Sequence, residues 1–164
     1  MNHFPEALRM LLTQGFALVA VICLAVISPV NAQTEKASVG PDEAPVFQEY
    51  RGVRIGMAAG EVRKKLGNPA DKGEEQDFFI FNENETAQIV YDKSHKVTAI
   101  SFDFLNGARD VPTPLIVFGA EIEAKPDGSM YKMVRYHKAG YWLSFNRTSG
   151  DSPLTTVTMQ KLEP

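Results

Sequence analysis

A chain of 164 residues, 44% hydrophobic and 23% charged, has the composition of a globular protein and room for about one domain, which excludes a disordered or fibrous polymer. Lys and Arg number 17 and Asp and Glu 20, giving a net charge of −3 with the signs interspersed, so no broad basic face is offered to nucleic acid or an anionic membrane. The single cysteine, Cys23, excludes an intrachain disulfide framework.

Residues 1–32 read as a cleavable export signal. Arg9 and the amino terminus give a weak positive region, partly offset by Glu6, and Phe16 to Ile27 is an uninterrupted small and apolar run. Pro29 then breaks any helix, and Val30-Asn31-Ala32 places small residues for cleavage before Gln33. The rival reading is an uncleaved anchor from Leu11 to Val30, although Thr13, Gln14 and Gly15 dilute its start. Cys23 sits inside the apolar run behind bulky Ile22, which argues against lipid attachment. Residues 33–46 are polar, with Gly and Pro, and read as a flexible linker. The chain is therefore expected to be exported, either periplasmic or secreted, with outer-membrane association left open. A membrane enters only through an uncleaved N-terminal segment.

Residues 47–164 read as the folded domain. After an extended "FQEYRGVRIGM", a helix is predicted over Ala59 to Leu66, with Met57, Ala58, Val62 and Leu66 on one face and Glu61 paired to Lys65 on the other. Gly67 and Pro69 stop it, and the cations Arg63, Lys64 and Lys65 complement the dipole of its last turn. "DFFIF", "AQIVYD" and "KVTAISFDF" then form an antiparallel meander. Phe78 and Ile80 are predicted to share a face with Ile89 and Tyr91, and Phe79 and Phe81 to share the other with Val90 and Ala99. Both faces are then apolar, and both are expected to be covered. In the second half, Thr113 caps a helix with Pro114 at its first position, and "SMYKMVRY", "YWLSFNR" and "LTTVTMQKL" make a second meander. The expected fold is α+β: two helix-plus-antiparallel-meander repeats, residues 47–106 and 107–164, with the helices packed on one face of the sheet.

The polar inventory does not assemble an active site. His95 and His137 fall in turns of different halves. Glu74, Glu75 and Asp77 read as a solvated charge run. Asn82-Glu83-Asn84-Glu85 lacks the glycine and distal glutamate of a calcium loop. Asn84-Glu85-Thr86 and Asn146-Arg147-Thr148 fit the glycosylation acceptor pattern. No catalytic residue, metal ligand or cofactor is assigned, and the chain is not expected to be an enzyme.

The second meander suggests a surface instead. With "HKAG" in the turn, Tyr136 faces Tyr141, Arg135 faces Trp142 and Val134 faces Leu143, and Leu143 is then placed opposite Val157. Val134, Tyr136, Tyr141, Leu143, Val157 and Met159 make the core face. Arg135, Trp142, Ser144, Thr156 and Thr158, with Gln160 beside them, make a polar face around the only tryptophan. Trp and Arg are frequent anchors of protein interfaces, so these residues are the expected protein-binding patch.

"GVRIGMAAGEVRKKLGNP", followed by an aromatic strand, a polar turn and "IVYDKSHKVTAI", resembles the SmpA/OmlA (BamE-like) domain family. The resemblance covers Gly52 to Phe104 and is carried by Gly56, Met57, Val62, Leu66, Gly67, Pro69, Tyr91, Asp92 and Val97. Ala58 stands where that family usually has a capping Ser or Thr. A tandem of such units is also similar to the fold of the β-lactamase-inhibitor proteins, whose exposed sheet face grips another protein. Either resemblance implies non-enzymatic binding. The expected function is thus an exported protein-binding or scaffold module of the cell envelope, and the alternative is a secreted inhibitor of an extracytoplasmic enzyme. The expected partner is a protein of the envelope or extracellular space, with no nucleic acid and no small-molecule cofactor.

Overall fold

The computed structural model describes residues 44–163, so the expected export signal and most of the expected linker lie outside the described residues. Of that linker Ala44, Pro45 and Val46 are described, and Pro45 is buried, its carbonyl accepting from Gln48 Nε2 at 3.1 Å.

The aromatic and β-branched runs form strands close to where they are expected. In chain order these are β1 (Asp71–Lys72), β2 (Gln76–Asn82), β3 (Glu85–Tyr91), β4 (Val97–Phe104), β5 (Met130–Tyr136), β6 (Tyr141–Arg147) and β7 (Thr155–Lys161). Helix α1 (Ala59–Leu66) precedes them, and α2 (Pro114–Phe118) lies between β4 and β5. All seven strands join one antiparallel sheet in the order β1-β2-β3-β4-β7-β6-β5.

This corrects the fold class. The described residues are mainly β, a single seven-stranded sheet, and not an α+β pair of helix-plus-meander repeats. The helices have 8 and 5 residues, too few to make a layer of their own. The meanders fuse through a β4–β7 ladder, in which Ile100 faces Met159 and Phe102 faces Val157, so neither half keeps a separate sheet.

The two helices are bounded in different ways. Ala58 gives α1 no side-chain cap, and the helix start is tied down by tertiary contact: the Ala59 N–H donates to the His95 carbonyl at 2.9 Å. Gly67, at φ 88°, ends it. Its buried residues are Ala59 and Val62, with Leu66 half-buried; Ala58, expected on that face, is exposed. In α2 the Thr113 hydroxyl accepts from the Ile116 N–H at 3.4 Å and Pro114 opens the helix, as expected.

One face of the sheet is covered. Phe79, Ile89, Ile100, Phe102, Val157, Met159, Leu143 and Phe145 point toward α1, α2 and the extended stretch around Tyr50 and Val53, and together they form the core. The expected face assignment in the first meander is reversed: Phe79 lies opposite Ala87 and Asp77 opposite Ile89, while Phe78 faces Gln88 and Ile80 faces Thr86. The cause is a bulge between Ile80 and Asn82. One extra residue shifts the register by one, which exchanges the two faces of β2. Phe78 and Ile80 are consequently exposed, at 36% and 58%. Among the described residues no element covers the second face of the sheet.

Candidate interaction surface

The open face is a grid fixed by alternation along six strands and by their registers. One row runs Arg135, Trp142, Gln160, Ala99, Val90, Gln76, and a parallel row runs Met133, Ser144, Thr158, Ser101, Gln88, Phe78. The third is Tyr131, Asn146, Thr156, Asp103, Thr86, Ile80. Every one of these residues is exposed or half-exposed. The expected core partners of the same strands lie on the opposite, covered face: Tyr136, Tyr141, Leu143, Val157 and Met159 are buried and Val134 is half-buried.

The middle of the grid is satisfied within itself. Ser101 and Thr158 share a hydrogen bond at 3.1 Å, the Thr156 hydroxyl donates to Asp103 at 2.6 Å, and Gln88 Nε2 donates to Gln76 Oε1 at 2.7 Å. The β5–β6 end is different. Its outward positions are Tyr131, Met133, Arg135, Trp142, Ser144 and Asn146, with no Lys, Asp or Glu among them. Tyr131 is 54% exposed and Met133 43%. A depression of about 380 Å³ beside Trp142 is flanked by Arg135, Gln160 and Glu163.

All five residues expected from sequence lie on this face. Arg135 stands opposite Trp142, as the turn placement predicts. The β6–β7 ladder is two residues away from the expected register: Leu143 faces Met159 in place of Val157, and Trp142 faces Gln160 in place of Thr158. A shift of two preserves which side each residue faces, so the five residues stay on one face. Ser144 thereby sits beside Thr158, and Thr156 beside Asn146. Thr156 and Thr158 are engaged with β4 and belong to the satisfied middle. Tyr131, Met133 and Asn146 were not expected, although counting back by twos from Arg135, and forward from Ser144, finds them.

On the covered side, two carboxylates are surrounded by donors. Asp77, with no exposed surface, accepts from Arg63 Nε at 2.8 Å, Arg63 Nη2 at 2.9 Å and the Tyr91 hydroxyl at 2.7 Å. Glu85 accepts from the Tyr50 hydroxyl at 2.6 Å and from Arg51 Nη2 at 2.7 Å, and the Arg51 guanidinium lies 4.3 Å from the Phe81 ring centroid. Burial alone would raise both carboxyl pKa values, but hydrogen bonds from the arginine and tyrosine in each cluster outweigh it, and both groups are held below the ordinary carboxylate range. Burial and the neighbouring carboxylate push Tyr91 and Tyr50 upward. At neutral pH each cluster is a filled ion pair with no proton to exchange, and it fastens the segment before the sheet onto β2 and β3. Local pattern puts Asp77 in a solvated run and Arg63 at a helix dipole, and only the tertiary fold brings the two together. The exposed histidines His95 and His137 lie in separate turns, as expected. Comparison with protein-family profiles, curated proteins and solved structures yields no match for this chain.

Proposed function

We propose that the chain is an exported, non-enzymatic binding module of the cell envelope, which holds a protein partner through the β5–β6 end of its open sheet face. One observation carries the reading: six neighbouring outward positions hold Tyr, Met, Arg, Trp, Ser and Asn and no Lys, Asp or Glu. Tyr, Trp, Met and Arg are enriched, and Lys, Asp and Glu depleted, in the cores of protein interfaces. The buried charges among the described residues are structural, since the carboxylates of Asp77 and Glu85 are each occupied by an arginine and a tyrosine. The resemblance to SmpA/OmlA domains over Gly52 to Phe104 supplies the envelope setting, and the apolar run Phe16 to Ile27 supplies export.

Trp142→Ala is the test. If Trp142 anchors the partner, its truncation costs about 2 kcal/mol or more of binding, roughly a 30-fold loss of affinity. Stability should change little, because Trp142 is half-exposed and outside the core. Capture from envelope extract by immobilised wild-type and variant chains gives the answer. A variant that folds and captures as well as wild type overturns the proposal, and enrichment of one enzyme in place of structural envelope proteins turns it toward inhibition.

A further inference from the structure

β5 closes one side of the sheet. β6 pairs one of its edges, and among the described residues no strand pairs the other. It is seven residues long and contains no proline, whereas the opposite margin of the sheet is capped by the two-residue β1. Such an edge presents a row of backbone donors and acceptors to another chain unless something shields it.

Its charge is one-signed. From Ser129 to Lys138 the chain carries Lys132, Arg135 and Lys138 and neither Asp nor Glu. Alternation sends Arg135 to the open face and Lys132 to the covered face, where its ammonium lies 5.1 Å from the centroid of the Phe118 ring. Between them Met133 is exposed and Val134 half-buried. Glu121 lines a pocket with Met130, at the far end of the strand from Arg135 and Lys138. A second copy is a poor occupant. Pairing two β5 edges brings two cationic runs together with no acid between them, and registers centred on Lys132 or Arg135 set like charges directly opposite, which destabilises a ladder.

We propose that the free edge of β5 takes an extended acidic segment of the partner protein as an eighth strand. The spacing of the cations specifies its pattern: an acid opposite Arg135, apolar residues opposite Val134 and Met133, and a second acid opposite Lys132. Backbone hydrogen bonds supply the attachment, and the two acids, three residues apart and on opposite faces, set the register. This rests on the protein-binding reading above and adds the chemistry of the partner.

The probe is a synthetic peptide, Thr-Val-Glu-Val-Ile-Glu-Val-Thr, set against its counterpart with both Glu replaced by Lys. Titrated into the isotope-labelled chain, the acidic peptide should shift the backbone amides of residues 130–136 saturably, slow their hydrogen exchange and bind at least 10-fold more tightly than the basic one. The preference should weaken with added salt and reverse in Lys132→Glu/Arg135→Glu. If Lys132→Glu disturbs folding, Arg135→Glu alone, at an exposed site, should still narrow the preference. Equal binding of the two peptides, shifts that leave β5 untouched, or peptide-free dimerisation through β5 each overturn the proposal. Loss of partner capture in Trp142→Ala with β5 silent toward the peptide removes strand addition alone, whereas undiminished capture by Trp142→Ala removes the reading beneath it.

Discussion

Asp77 is an ion without solvent, tolerable because four donors surround it: Nε and Nη2 of Arg63, the Tyr91 hydroxyl and, at 3.3 Å, the Gly73 N–H. Removing the guanidinium leaves that charge buried and uncompensated, so Arg63→Met should cost about 3–5 kcal/mol in urea denaturation at neutral pH. The acid side provides a second readout. The folded carboxyls of Asp77 and Glu85 titrate below their ordinary values of 3.8 and 4.5, so the unfolded chain takes up protons first. Their stabilisation is complete above that range and is lost as pH falls through the folded values. Wild-type stability should therefore drop steeply below about pH 4, and Arg63→Met should lose less over the same interval, because Asp77 is no longer held low; parallel curves would mean that the pair does not set the acid limit. None of this was legible in "GEEQDFF". Glu74 and Glu75 are exposed as a charge run should be, and alternation does put Asp77 on the side of Phe79, but its partner stands fourteen residues earlier on a helix, beyond the reach of any local pattern.

Elements were more legible than the residues that join them. The strands and both helices are found close to where periodicity, caps and stop signals put them, since these are local properties of the chain. What escaped is β1 and the bulge at Phe81. β1 is a pair of residues held by a tight return, in which the Gly73 N–H donates to the Gln76 carbonyl at 2.9 Å. A Cβ at Gly73 would stand 2.7 Å from that same oxygen, so Gly73→Ala must open the turn. The expected cost is about 1–3 kcal/mol, with faster amide exchange at Asp71 and Lys72 and unchanged exchange in β6. Unaltered exchange in β1 would show that the turn yields without harm. The bulge matters for the surface: a two-residue turn with no bulge puts Phe78 and Ile80 in the core, and the observed register turns them outward. Sequence carries no marker for that one inserted residue, whereas the β5–β6 turn has no such irregularity and its pairing was read correctly.

At the scale of the whole molecule the two meanders, each recognisable by itself, become one sheet because β4 finds β7. Sequence offered two helix-plus-meander repeats sharing one core but not the ladder that joins them, since periodicity describes a strand and its turn but not which distant strand lies beside it. Phe102 marks the join: it is fully buried on β4, faces Val157, stacks on Tyr50 at 4.0 Å between ring centroids and meets Phe104 edge-on at 5.8 Å. Phe102→Ala should cost about 3–5 kcal/mol and unfold both meanders in one transition, observable when the Trp142 signal in β6 and far-ultraviolet circular dichroism melt together. Two separated transitions would mean that the halves stand independently. The strand order also governs how the sheet is born. β1 to β4 can zip together as they emerge during synthesis, but the outer margin of β4 must wait while α2, β5 and β6 pass by, because its neighbour β7 is the last strand described. Until then the growing chain carries an unfinished sheet, open to holding chaperones and to wrong pairings, and the sheet is sealed by β7 sliding into the middle.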